Sequence, residues 1–313
     1  EPTALLVGGR ACRADGVLAL DAVARATGAR LLAETFPTRQ TRGGGLPDLT
    51  RLAYLAEFAE AQLAGVRHLV LVYAPAPVSF FAYPGRPSDL VPAGAEVHVL
   101  AGALTALAAA LDVEVPPAPA TAEPPGGAAP ALPEDGPLTA ATLASVVAAL
   151  LPADAIVSDE STTAGIFLYP ATTASARHDW LSLTGGAIGQ GLPVAVGAAV
   201  ACPHRPVLAL EADGSALYTI QALWTMAREQ LDVTTVIVNN RSYAVLNMEL
   251  DRVGADEPGP RAKAMLDLSG PDLDFTALAE GLGVPATRAT TTTELADQLR
   301  RALAEPGPHL IEA

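Results

Sequence analysis

The 313-residue chain is half hydrophobic, only 4% aromatic, and carries a formal net charge of −15. That length allows two domains of ordinary size, each with a core built mostly from Ala, Val and Leu. The acidic balance leaves no basic stripe for nucleic acid and no attraction to an anionic membrane surface, and no apolar run is long enough to span a bilayer. The two cysteines, Cys12 and Cys202, exclude a disulfide framework and a cysteine-based metal site. No secretory leader is expected, and the cytoplasm is the expected compartment.

Residues 3–8, Thr-Ala-Leu-Leu-Val-Gly, read as a strand ending in a glycine turn. Residues 16–27 carry helical spacing, 30–34 read as a strand, and 49–63 as a helix with Leu52, Leu55, Ala56 and Ala59 along one stripe. Residues 68–73 and 96–100 read as further strands. Strands alternating with helices predict a parallel sheet covered on both faces, so 1–111 read as a small doubly wound, Rossmann-type domain. Pro, Ala and Gly dominate 112–137, the composition of an interdomain linker. A second α/β domain is expected over 138–313, with helices at 139–150, 192–201, 218–229, 275–281 and 295–304. Its strands are expected at 155–158, 207–210, 233–238 and 309–312. The predicted fold class is α/β, two doubly wound, mainly parallel-sheet domains joined by a Pro/Ala/Gly-rich linker.

Asp213-Gly214-Ser215 follows one apolar run, and Asn239-Asn240 ends the next. Their separation suits a single βαβ crossover of roughly 30 residues. A right-handed crossover brings both strand ends to the same edge of the sheet. A carboxylate and an amide oxygen placed there can share a hard cation, and Mg²⁺ is usually shared with substrate phosphates. The Ser242 backbone carbonyl, two residues on, would close the turn around the ion. A Gly-Ser turn opening a helix suits phosphate.

Ala212-Asp213-Gly214-Ser215 through Asn239-Asn240 resembles the thiamine-diphosphate binding motif, which reads Gly-Asp-Gly, a helix and strand, then Asn-Asn. Residues 184–193, Thr-Gly-Gly-Ala-Ile-Gly-Gln-Gly-Leu-Pro, resemble the turn beneath the thiazolium ring in benzoylformate decarboxylase and acetolactate synthase. Ser158-Asp159-Glu160-Ser161-Thr162-Thr163 resembles the Glu-Ser-Thr-Ser stretch of benzoylformate decarboxylase. The chain is thus similar to the thiamine-diphosphate-dependent 2-oxo acid enzymes of the acetolactate synthase and benzoylformate decarboxylase superfamily. The resemblance implies that Asp213, Asn240 and Ser242 hold Mg²⁺, and that Gly214, Ser215, Thr162 and Thr163 hold the diphosphate. It implies that the Gly186 carbonyl accepts from the cofactor's 4′-amino group and that Ile188 wedges the cofactor into its bent shape. Tyr243, Val245 and Leu246 would line the pocket beside it. Residues 1–111 would be the central domain and 138–313 the pyrophosphate-binding domain. The implied activity is decarboxylation or carboligation of a small 2-oxo acid, as a C–C lyase or transferase. A simple decarboxylase and a non-catalytic cofactor-binding fragment remain open.

The chain also departs from the pattern of the family it resembles. Ala212 stands where Gly is usual, Ala82 where benzoylformate decarboxylase has a catalytic His, and Asn247-Met248-Glu249-Leu250 where acetolactate synthases carry Gln-Trp. The pyrimidine-binding domain that supplies the activating Glu, roughly 150–200 residues, is expected to be missing, so no catalytic residue is assigned. The site is then expected at a subunit interface in a homo-dimer or homo-tetramer. Gly8-Gly9 suggests FAD or another nucleotide, as in the middle domain of acetolactate synthases, with a vestigial fold as the alternative. His178-Asp179 is read as a cap or a solvated pair, and Arg10, Arg13 and Arg42 as solvated charges. His68 and His98 are read as structural positions at strand edges, and no cluster suggests zinc.

Overall fold

The computed structural model describes residues 1–102, 104–254 and 259–313. Contacts divide the chain into two units, Glu1–Thr121 with Thr184–Gly186, and Ala122–Leu183 with Ala187–Ala313. No helix among the described residues is long and apolar enough to cross a membrane.

The first unit contains β1 (Thr3–Val7), α1 (Ala14–Thr27), β2 (Arg30–Ala33), β3 (Gln40–Arg42), α2 (Ala56–Leu63), β4 (His68–Val72), β5 (Glu96–Leu100) and α3 (Leu104–Ala110). A parallel sheet runs in the order β2-β1-β4-β5. Alternation along β1 explains why the sheet is covered twice. Ala4 and Leu6 pack in a cluster with Ala56, Ala59 and Leu63 of α2. Leu5 and Val7 pack with Val17, Leu20 and Val23 of α1 and Ala108 of α3. The helix expected over 49–63 is shorter than its periodicity suggests. Thr50 and Leu52 instead pair with Ala33 at the end of β2, and the Gln62 amide bonds Ala53 N and Arg51 O. Leu49 and Leu52 are buried, but by sheet-edge packing, so their apolar spacing was not a helical signal.

The Gly8–Gly9 turn after β1 has an acid beside it. The Glu34 carboxylate lies where a Gly8 side chain would start, and it accepts from Gly9 N at 3.4 Å. An acid there repels the pyrophosphate that such a turn would otherwise cradle. Cys12 is buried, and burial pushes its thiol up to about 12; both cysteines are free.

The second unit contains α4 (Ala140–Leu150), β6 (Ile156–Glu160), α5 (Leu168–Ala171), β7 (His178–Ser182), α6 (Gly191–Ala201), β8 (Val207–Ala212), α7 (Asp213–Thr219), α8 (Ala222–Glu229) and β9 (Val233–Val238). It continues with α9 (Ala244–Arg252), α10 (Pro260–Leu266), α11 (Phe275–Gly281), β10 (Ala286–Arg288), α12 (Thr292–Ala304) and β11 (His309–Glu312). The order β10-β11-β9-β8-β6-β7 is parallel throughout. Val157, Leu208, Leu210, Val236 and Ile311 meet α4 and α12 on one face. Ile156, Val207, Ala209, Ile237 and Leu310 meet α6, α8 and α11 on the other. Thr139 and Thr291 open α4 and α12 with reciprocal capping boxes, each satisfying donors that the helix start leaves unpaired. The helix expected at 218–229 opens earlier, at Asp213, and is split between α7 and α8.

Candidate functional site

From β6 the chain crosses to β7 on one side, while β8 and β9 lie on the other. The carboxyl ends of β6 and β8 therefore flank the topological switch point, where open α/β sheets place their ligands. Three loops open there: Ser161 to Gly165 after β6, the start of α7 after β8, and Asn239 to Tyr243 after β9.

Asp213 is 1% exposed and begins α7 directly after β8. Its Oδ1 accepts from Gly214 N at 2.8 Å and its Oδ2 from Arg241 N at 2.6 Å. Strands β8 and β9 are adjacent, with Ala212 opposite Val238, so the predicted Asp213 and the Asn239–Ser242 turn do meet. Burial pushes the Asp213 carboxyl up, against the backbone N–H groups of Gly214, Arg241 and Ser242 that pull it down. Among the described residues no Lys, Arg or His side chain forms an ion pair with it. A buried acid without a side-chain cation, beside oxygen donors only, fits a hard divalent ion.

The two asparagines have different jobs. Asn239 is tied to the sheet, its Nδ2 donating to Glu312 Oε1 at 2.8 Å and its N to Ala313 O at 2.9 Å. Asn240 is exposed, and its Oδ1 accepts from Ser242 N at 3.0 Å, which curls the turn toward Asp213. Ser242 forms an isolated bridge with Asp267, and its hydroxyl donates to Leu266 O and accepts from Asn247 Nδ2. Arg241, between them, sits at φ +60, a left-handed position that an arginine occupies at a cost.

Gly214 has no room for a side chain, because the Tyr243 ring lies where its Cβ would be. Tyr243 thus roofs the start of α7. Burial pushes its phenol up first, then the charges of Tyr218 and Asp213, so the hydroxyl keeps its proton. Ser215 is buried in the same turn. Val245 lies half-buried on α9, two residues beyond Tyr243, while Leu246 is exposed.

Thr162 and Thr163 follow β6 and are half-buried. Thr162 adopts φ +50, which a β-branched residue takes only when its surroundings force it. Strain thus marks the loops after both β6 and β9. Gly186 groups with the first unit; it is exposed and has φ +68. Ile188 is half-buried beside Gly189, whose φ of +98 and the Tyr218 Cβ lying 2.9 Å from where a side chain would start require glycine.

Two functional-looking residues lie outside the predicted set. The β6–β8 register places Glu160 opposite Glu211, and both are buried. Their carboxyl groups fill the space left by the missing side chain of Gly191 at the start of α6. Glu160 accepts from the backbone of Gly189 at 2.5 Å, Gln190 at 3.4 Å and Gly191 at 2.7 Å, clamping the glycine-rich turn. Burial pushes Glu160 up, while these bonds and Glu211 pull it down. Among the described residues Glu211 meets no backbone or cationic donor. Burial pushes it well up, and the neighbouring Glu160 charge adds to that. Glu211 therefore carries the proton and shares it with the Glu160 carboxylate. An acid following the apolar residues 207–210 was the available signal.

Residues 164–313 match the family model described as thiamine pyrophosphate enzyme, C-terminal TPP binding domain. A Mycobacterium tuberculosis protein named as a candidate acetolactate synthase large subunit, IlvX, is 61% identical over 317 residues, taking in 100% of this chain and 61% of its own length. The benzoylformate decarboxylase of Pseudomonas aeruginosa is 34% identical over 292 residues, 85% of this chain and 53% of its own. The solved Rhodococcus jostii thiamine diphosphate-dependent 4-hydroxybenzoylformate decarboxylase superposes with a TM-score of 0.74 at 26% identity, covering 100% of this chain and 61% of that one. The chain spans about three fifths, or less, of the length of these relatives.

Proposed function

This chain belongs to the superfamily of thiamine-diphosphate-dependent 2-oxo acid enzymes, and from that premise we propose that its second unit holds thiamine diphosphate through Mg²⁺. The whole protein then acts on a small 2-oxo acid in the cytoplasm, releasing carbon dioxide and, in the acetolactate synthase-like reading, joining the remainder to a second carbonyl. The observation that carries this reading is the buried, cation-free Asp213 held against the Asn240–Ser242 turn at the sheet's switch point.

Asp213, the Asn240 amide oxygen and the Ser242 carbonyl are the proposed metal ligands. The N–H groups opening α7 at Gly214 and Ser215, with the hydroxyls of Thr162 and Thr163, are the proposed diphosphate contacts. Tyr243 and Val245 would border the substrate, and Gly186 and Ile188 would fix the cofactor's shape. Glu160 acts one step back, holding the Gly189–Gly191 turn by three backbone bonds. When bound, thiamine diphosphate supplies the electron sink that loss of carbon dioxide from a 2-oxo acid requires. The group that activates it is proposed to come from a partner subunit in a homo-dimer or homo-tetramer. The exposed Ile166, Phe167, Leu246 and Met265 support a covering partner.

Calorimetry with thiamine diphosphate tests the site. Binding is expected with Mg²⁺, and its loss without Mg²⁺ or in Asp213→Ala. If Asp213→Ala binds as tightly as the parent, the metal assignment falls. Carbon dioxide release across a panel of 2-oxo acids, with product analysis, separates decarboxylation from ligation.

A further inference from the structure

We infer that His68, Glu96 and His98 form a binding site for a divalent transition-metal ion of the zinc type on the first unit. Sequence alone separates these residues, but the sheet assembles them. Glu96 and His98 are two apart on β5 and so share one face. The register sets His68 opposite Glu96 and Val70 opposite His98, which puts all three side chains together on that face. His68 Nδ1 lies 3.1 Å from His98 Nε2. Glu96 Oε2 lies 3.7 Å from the first nitrogen and 3.9 Å from the second. A point equidistant from the three atoms lies about 2.1 Å from each, the length of a zinc–imidazole or zinc–carboxylate bond.

The far edge of the His68 ring supplies a second, independent observation. His68 Nε2 donates to Glu1 Oε2 at 3.0 Å. That bond assigns the His68 proton to Nε2 and leaves Nδ1 as a lone pair facing the site. Metal-bound histidines are oriented by a carboxylate in this way. Without metal, His98 Nε2–H donates to His68 Nδ1. With metal, His98 takes its other tautomer, its proton moving to Nδ1, and the Nε2 lone pair becomes a ligand. No net proton is released, and the two carboxylates balance the charge of the dication. Glu96 and His98 are 72% and 48% exposed in their side chains, so water completes the coordination and entry is direct. Two imidazoles and one carboxylate suit Zn²⁺ and its neighbours rather than Mg²⁺, which prefers all-oxygen sites.

The test is equilibrium dialysis of the full chain against ZnCl₂, with MgCl₂ in large excess to occupy the all-oxygen site of the second unit. The expected result is one retained Zn²⁺, with the His68 and His98 imidazole resonances shifting together. His98→Ala should weaken binding by at least about 100-fold, and Glu1→Gln by about 10-fold through loss of ring orientation. Both residues are exposed at the surface, and thermal melting without metal should be unchanged in each. Zn²⁺ binding by His98→Ala equal to that of the parent, or imidazole resonances that do not move on adding Zn²⁺, would overturn the inference.

Discussion

Replacing Glu211 with Gln should make the metal-free, cofactor-free protein more stable than the parent above mildly acidic pH, and increasingly so as pH rises. Glu211 is 0% exposed, and among the described residues no backbone or cationic donor reaches it. Its carboxyl is pushed well up by burial and by the Glu160 charge beside it. In the unfolded chain the same carboxyl titrates near its ordinary value, about 4.3. Between those two values the folded chain binds one more proton than the unfolded chain, so stability falls as pH rises. The loss is about 1.4 kcal/mol for each pH unit of that window. Below the unfolded value the stabilising term is fully present. Glutamine keeps a donor toward the Glu160 carboxylate but does not titrate, so Glu211→Gln removes this slope. Glu160 and Asp213 are also shifted up by burial, so the parent's own slope mixes several groups. The difference between parent and variant isolates the Glu160–Glu211 pair, which titrates as one unit. Urea unfolding from about pH 5 to about pH 8 measures it, with a thermal equivalent of about 2–4 °C per kcal/mol for a unit of this size. Parallel stability curves for parent and variant across that range would refute the shared proton.

Two substitutions probe the loops of the same site. Gly214→Ala drives a methyl group into the Tyr243 ring, and its displacement should cost about 1–3 kcal/mol and weaken thiamine diphosphate binding, read by thermal melting and calorimetry. Thr162→Gly relieves a β-branched residue held at φ +50; it should raise the stability of the cofactor-free protein by about 1 kcal/mol while lowering diphosphate affinity. If affinity is unchanged in Thr162→Gly, the hydroxyl takes no part in the site.

The architecture was legible because each strand of the two sheets carries its own alternation. Ala4 and Leu6 face one helix layer and Leu5 and Val7 the other, which a reader of 3–8 sees at once. The pairing of Asp213 with the Asn240 turn was legible for a related reason: a single crossover fixes where two strand ends meet. The false extension of α2 arose because the stretch from Thr50 to Leu52 pairs with the end of β2, and apolar spacing does not say which neighbour does the burying. Register was the hidden variable elsewhere. Glu160 lies opposite Glu211, and His68 opposite Glu96, only because two parallel strands align at those residues. Nothing local to either sequence segment encodes that alignment. The division of labour between Asn239 and Asn240 was equally invisible, since it depends on Glu312 at the far end of the chain.

The electrostatics of the switch point, as built by the described residues, favour the cation of the proposed reading. Glu160 is a carboxylate that three backbone N–H groups compensate. Asp159 is likewise satisfied, by Ser161 and by Trp180 Nε1 at 3.2 Å. Glu211 escapes its charge by keeping a proton. Among the described residues Asp213 has only backbone donors, and burial works against its charge. A diphosphate brought to the start of α7 adds further negative charge to a chain already at −15. The N–H groups of one helix turn offset only about half an elementary charge. On the proposed reading, a divalent ion held by Asp213 would address both problems, because it would compensate the buried acid and supply positive charge for the anion. A lysine in its place would satisfy Asp213 but leave a single charge to share. On the proposed reading, diphosphate affinity at this site is expected to depend on Mg²⁺ far more steeply than on ionic strength.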